Sequence, residues 1–145
     1  MCCNNFQPYI GGADFCYSNK TSAKENGRSF SLQFDIPETF CRIKIDGCVD
    51  NSQRNKKCDY LFVRCATKDF YFVELKKGDN ILDAYEQIVS SIRLIKPKVQ
   101  LAKENIYGVI ASRAVPKQIK LGDLKKKFKR DFGNELIARN IIHIR

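Results

Sequence analysis

The sequence predicts a mixed α/β fold in which helices flank a central mixed β-sheet. Three observations carry this. From Phe30 to Ile45 apolar side chains alternate with polar ones, as in half-buried strands. Residues 59–65 and 70–76 are two aromatic and β-branched runs joined by Ala66-Thr67-Lys68-Asp69, the pattern of a hairpin. Ile81, Tyr85, Ile88, Ile92 and Ile95 then recur at alternating spacings of four and three, which places them on one helical face. A chain of 145 residues suits one domain, 1–145, with residues 1–29 its least determined segment.

Residues 1–30 are mixed and polar, and the stretch from Ser18 to Gly27 reads as a short helix or a loop. Phe30, Leu32 and Phe34 form a strand that ends before Pro37, and Cys41, Ile43 and Ile45 form another that ends at Asp46-Gly47. Both faces of the following hairpin are apolar, so its sheet should be covered on both sides. Asp79 or Asn80 caps the helix, and Pro97 should stop it. Residues 106–112 suit a buried strand, Lys117 to Phe132 a basic helix, and Ile137 to Ile144 a last strand.

Twenty-six Lys and Arg against sixteen Asp and Glu leave a net charge of +10, which favours a polyanionic partner, most simply nucleic acid. The start of the chain carries neither the basic nor the apolar part of a secretory signal, and no apolar run is long enough to span a membrane. A cytoplasmic protein is therefore expected, with its seven cysteines reduced. Zinc is disfavoured because no C-x-x-C pair occurs; Cys2, Cys3 and Cys16 would be the best donors. His143 is the only histidine, which argues against His-based triads.

If residues 66–69 close the hairpin, Cys65 lies opposite Phe70, Leu61 opposite Glu74 and Asp59 opposite Lys76. Strand side chains alternate, so Asp59, Glu74 and Lys76 emerge on one face at the open end of the hairpin. Three charges at the rim of an apolar face need a reason, because an unpartnered buried charge is costly. Two neighbouring carboxylates suit a hard divalent cation such as Mg²⁺, with the carbonyl of Leu75 as a further ligand. A water on that metal can attack a phosphate, with the Lys76 ammonium orienting it or stabilising the transition state.

Asp59, a gap of fourteen residues, then Glu74-Leu75-Lys76 on adjacent strands before a helix resembles the PD-(D/E)XK nuclease superfamily, the restriction-endonuclease-like fold. The resemblance covers roughly 41–112 and implies a strand-strand-strand-helix-strand core. It implies metal binding by Asp59 and Glu74 and a catalytic role for Lys76. Gln87 is placed like the glutamine that faces the active site in the RecB-type branch. Cys58 stands where the name-giving proline would be, and Ser91 where that branch has tyrosine. Glu25, Glu38 and Asp46 are candidates for a further member of the acidic cluster.

The reading is a metal-dependent endonuclease that hydrolyses DNA, with Mg²⁺ as cofactor and Mn²⁺ able to substitute, acting in a structure-selective manner or in defence or repair. Lys56, Lys57, Lys77, Lys125, Lys126 and Lys127 would form a phosphate-binding margin. Charge does not separate DNA from RNA, and the size is compatible with a homodimer or a subunit guided by a partner protein. The competing reading is a non-catalytic nucleic-acid-binding or scaffold module with the same fold.

Overall fold

Two β-sheets, rather than the single sheet the sequence predicts, frame the molecule. The computed structural model describes residues 2–25, 27–52, 55–75, 80–111 and 118–144. In chain order the elements are α1 (Gln7–Ile10), β1 (Tyr17–Ser18), β2 (Ser22–Glu25), β3 (Arg28–Phe34), β4 (Phe40–Lys44), β5 (Tyr60–Arg64), β6 (Asp69–Leu75), α2 (Ile81–Val99), β7 (Ile106–Ala111), α3 (Gln118–Phe132) and β8 (Ile141–Ile144). The larger sheet runs β1-β4-β5-β6-β7, antiparallel until β7, which lies parallel to β6. That last step needs a crossover, and α2 provides it. The smaller sheet is β2-β3-β8, with β8 parallel to β3.

The segment read as a helix or loop is thus partly a strand: β2 pairs with β3, Ala23 opposite Phe30. The adjacent strands β3 and β4 fall in different sheets. Between them lies Pro37, which lacks a backbone donor for a ladder, and the ring of Phe34 stacks on that of Phe40 at 5.9 Å where the chain passes between layers. The last strand is shorter than expected. Ile137 makes only an isolated bridge to Val109, and β8 starts at Ile141 in the smaller sheet.

The larger sheet is covered on both faces, as its all-apolar strands require. Leu61, Val63, Phe70 and Phe72 pack with Ile88, Ile92, Ile95 and Phe128 in a core on the helical side. Phe62, Tyr71, Val73 and Val109 pack with Phe30, Leu32 and Ile144 of the smaller sheet on the other. Glycine at 108 lets α3 approach β7: a Cβ there would meet the Phe128 ring at 2.8 Å and Leu136 at 3.0 Å. Helix α2 is capped by the Asn80 side chain, which accepts from the Asp83 amide at 3.2 Å. It runs past Pro97 to Val99 and ends at Gln100 in a left-handed conformation (φ 51°). A proline this near the C-terminus forfeits one hydrogen bond and leaves the preceding turns intact.

The expectation of reduced cysteines is overturned. Disulfides join Cys2 to Cys65, Cys3 to Cys41 and Cys16 to Cys48, with Cα separations of 5.5, 5.2 and 5.7 Å, and only Cys58 stays free. Every bridge runs from the first sixteen residues to the β4–β5 region, so the N-terminal segment is a strap sewn onto the sheet. It is also packed there: Phe6 stands edge-on to Phe70 at 5.3 Å, and Ile10 is buried. Gly12, at φ +88°, lies against Val49, which a Cβ would approach to 3.1 Å. The partners are 32 to 63 residues apart in sequence, so local spacing does not reveal them. The cysteines named as possible zinc donors, Cys2, Cys3 and Cys16, are all consumed by these bridges. Among the described residues no helix is long and apolar enough to cross a membrane.

Candidate functional site

The hairpin carrying the candidate residues is closed two residues differently from the expected register. Residues 65–68 turn the chain, with Lys68 at φ 62° and its amide donating to the Arg64 carbonyl at 2.7 Å. Arg64 therefore opposes Asp69, Leu61 opposes Phe72 and Tyr60 opposes Val73. One further step sets Asp59 opposite Glu74, not opposite Lys76. A shift of two residues equals the strand period, so the predicted face survives even though the partner changes. Lys76 and Lys77 lie outside the described residues.

The two carboxylates are held by the strand ends that carry them. The Asp59 amide donates to Glu74 Oε1 at 3.1 Å, and the Leu75 amide donates to Asp59 Oδ2 at 2.9 Å. Glu74 is 4% exposed. Burial, together with the nearby charges of Glu25 and Asp46, pushes the Asp59 carboxyl up to about 6, against the pull of the Leu75 amide and of hydrogen bonding with Glu74.

The three acidic candidates thus separate. Glu25, brought over by β2, accepts from the Tyr60 hydroxyl at 3.3 Å and pairs with Lys44 at 3.0 Å. Asp46 follows β4 in the turn that ends that strand. Both act on Asp59 through charge. Glu38 does not: it sits at the opposite end of β5, gripped by Arg64 through two bonds of 2.6 and 2.8 Å.

Residues before Asp59 hold it in place. The Cys58 amide donates to the fully buried Ser91 hydroxyl of α2 at 2.8 Å, which fastens the helix to the start of β5. The Cys58 thiol is fully buried, and desolvation raises its pKa far above the ordinary range, so it stays neutral. Lys57, expected at a phosphate margin, is only 7% exposed. Its ammonium donates to the carbonyls of Ser52 and, at 3.2 Å, Asp50, and lies 3.8 Å from Asp46 and 3.9 Å from Asp50 carboxylate oxygens. A buried ammonium needs such partners, and they commit Lys57 to the turn after β4.

Gln87 of α2 lines an open cleft of about 260 Å³ with Asp46, Asn51, Lys56 and Lys57, to which neither Asp59 nor Glu74 contributes among the described residues. Its Oε1 is buried and has no hydrogen-bond partner among the described residues. Lys56, on the rim, is held by Asp83 at 3.3 Å and by Glu86. Lys126 and Lys127 are exposed on α3 and Lys125 is half-buried, while Leu124 and Phe128 face the core, as their helical spacing predicts.

Sequence reasoning missed Ser91 as an anchor, a role that only the packing of α2 on β5 reveals. Among the described residues no group of three or more His, Cys, Asp or Glu side chains is placed to hold a metal ion. Comparison with protein-family models, with curated proteins and with solved structures yields no match, so the geometry alone carries the functional argument.

Proposed function

We propose that this protein is a Mg²⁺-dependent nuclease of restriction-endonuclease-like fold that hydrolyses DNA phosphodiester bonds. The observation that carries this is the meeting of Asp59 and Glu74 at the open end of the hairpin, Glu74 buried and Asp59 half-buried and facing the further negative charge of Glu25 and Asp46. Like charges so placed repel one another, and a divalent cation between Asp59 and Glu74 would relieve that cost. The order of three antiparallel strands, a crossover helix and a parallel strand supports the same reading.

The donor set fits Mg²⁺: hard oxygens from one or two carboxylates, with water and substrate phosphate completing the shell. Asp59 and Glu74 would hold the ion, with the Leu75 carbonyl as a third donor. When bound, the metal supplies an activated water and neutralises charge developing on the phosphate. The Leu75 amide keeps the Asp59 carboxylate oriented, and Ser91 fixes the strand on which it sits. Gln87 lines the cleft that Asp46 also borders, and its buried, unsatisfied carbonyl oxygen would accept from a water or a substrate hydroxyl that reached it. Lys76 follows in sequence as the cation for the attacking water. The exposed lysines of α3 supply backbone affinity without sequence readout.

The disulfides favour an oxidising setting over the cytoplasm, since bridges of this kind are rare where thiols are kept reduced. The test is cleavage of supercoiled plasmid and branched DNA, with RNA alongside, in Mg²⁺, Mn²⁺, Ca²⁺ or EDTA. Asp59→Asn and Lys76→Ala proteins run in parallel. Metal-dependent cleavage lost in both variants is expected. Salt-sensitive binding with no cleavage by the wild type would instead favour the non-catalytic binding module.

A further inference from the structure

Helices α2 and α3 flank a groove of about 320 Å³ lined by Tyr85, Glu86, Ser90, Arg93, Lys127 and Asp131. Its two carboxylates are already engaged: Asp131 with Arg130 at 3.1 Å, and Glu86 with Lys56. Its two cations are not. Arg93 and Lys127 are exposed and have no carboxylate partner among the described residues; Lys127 lies over the Tyr85 ring, 5.8 Å from its centre. Tyr85, which also lines the groove, is 4% exposed, and its buried hydroxyl has no hydrogen-bond partner among the described residues. A phenol in that position is a donor waiting for an acceptor, because burying it unsatisfied costs free energy. Burial, and then the nearby Asp131, raise its pKa, so it remains a protonated donor.

We propose that this groove is a phosphate-binding site, in which Arg93, Lys127 and the Tyr85 hydroxyl grip a backbone phosphodiester of nucleic acid away from the Asp59–Glu74 pair. The guanidinium offers a planar fork that matches two phosphate oxygens, and the ammonium adds a point charge. The hydroxyl is shut off from solvent, so in this proposal the exposed Lys127 side chain, which lies over the Tyr85 ring, moves aside as the phosphate enters. The Lys56–Glu86 pair forms the ridge between this groove and the Gln87 cleft, because Lys56 borders the cleft and Glu86 the groove. A strand crossing that ridge would be held on both sides of α2. The ligand class rests on the nuclease reading, but the site does not need catalysis to be tested.

Binding is measured without metal, by titrating fluorescent duplex DNA at several salt concentrations and by following amide shifts on adding inorganic phosphate. Tyr85→Phe, which keeps the ring and its packing, should weaken duplex binding about threefold to tenfold and abolish phosphate-induced shifts around the groove. Arg93→Ala and Lys127→Ala should each weaken it roughly tenfold and lower the slope of log affinity against log salt by about one. Lys20→Ala, at an exposed site between β1 and β2, should do neither. If Tyr85→Phe and Arg93→Ala bind duplex with wild-type affinity and slope, the proposal is overturned. Phosphate shifts at the groove with unchanged duplex binding overturn the nucleic-acid ligand. If the wild type never cleaves but the variants still lose duplex binding, the groove stands and the nuclease reading falls.

Discussion

The two ends of the β5–β6 hairpin differ in how they treat charge. At the turn end Glu38 takes two bonds from Arg64, and Asp69 accepts from the Thr67 hydroxyl at 2.7 Å and from Asn105 at 2.8 Å. At the open end acidic groups gather: Asp59 and Glu74 meet, with Glu25 and Asp46 near enough to push the Asp59 proton affinity up. The same pair of strands supports both, so the contrast is not imposed by the fold. A carboxylate matched to a guanidinium is a structural clamp, whereas crowded carboxylates raise the free energy of the unliganded protein and are retained where they serve a ligand.

The most direct way to break this comparison is to neutralise one glutamate at each end. Glu74→Gln should lower Mg²⁺-dependent cleavage by on the order of 1000-fold with little loss of fold, through weakened metal binding. Glu38→Gln should leave cleavage at the wild-type level but cost about 1–3 kcal/mol in urea unfolding, because Arg64 loses a charged, bidentate partner. Equal loss of activity in both would show that the open end is no more functional than the turn.

The strap sharpens the contrast because its bridges reach both ends. Cys65 lies in the turn after β5, and Cys48 in the turn that also carries Asp46 and Asp50, the partners of Lys57. Removing either bridge with a paired Cys→Ser change should cost about 2–4 kcal/mol, seen as a melting temperature lower by roughly 5–15 °C. Loss of Cys16–Cys48 should also reduce cleavage at temperatures well below melting, whereas loss of Cys2–Cys65 should not. Equal activity in the two double variants would dissociate the turn after β4 from the site.

The smallest effect is on pH dependence. Asp59 binds its proton more tightly in the folded chain, at about 6, than an ordinary aspartate carboxyl at 3.8. Between those values the folded state holds a proton that the unfolded state has released, so this group's contribution to stability falls as pH rises through the window. In EDTA, Asp59→Asn should raise the melting temperature relative to wild type at pH 7 by roughly 3–5 °C more than at pH 4. An unchanged difference between the two pH values would place Asp59 in an ordinary solvated environment.

Much of this was legible in the residues. The alternation of 59–65 and 70–76 predicted the hairpin and its faces, and the four-three spacing from Ile81 predicted α2 and its buried stripe. Periodicity reports which side of an element is apolar, and that is a local property. Asp59 and Glu74 fell on one face for the same reason. Their direct opposition did not follow, because register depends on where the turn closes, and Lys68 entering a left-handed conformation moved it by two residues. Only tertiary structure decided that β3 and β4 belong to different sheets, that Lys57 is buried among carbonyls while Lys127 is not, and that Glu25 rather than Glu38 approaches Asp59. It also decided the three disulfides, whose partners are far apart in the chain and near only in space. Sequence pattern sets what each segment presents; which presented groups meet is set by packing, where burial and charge are settled among all segments at once.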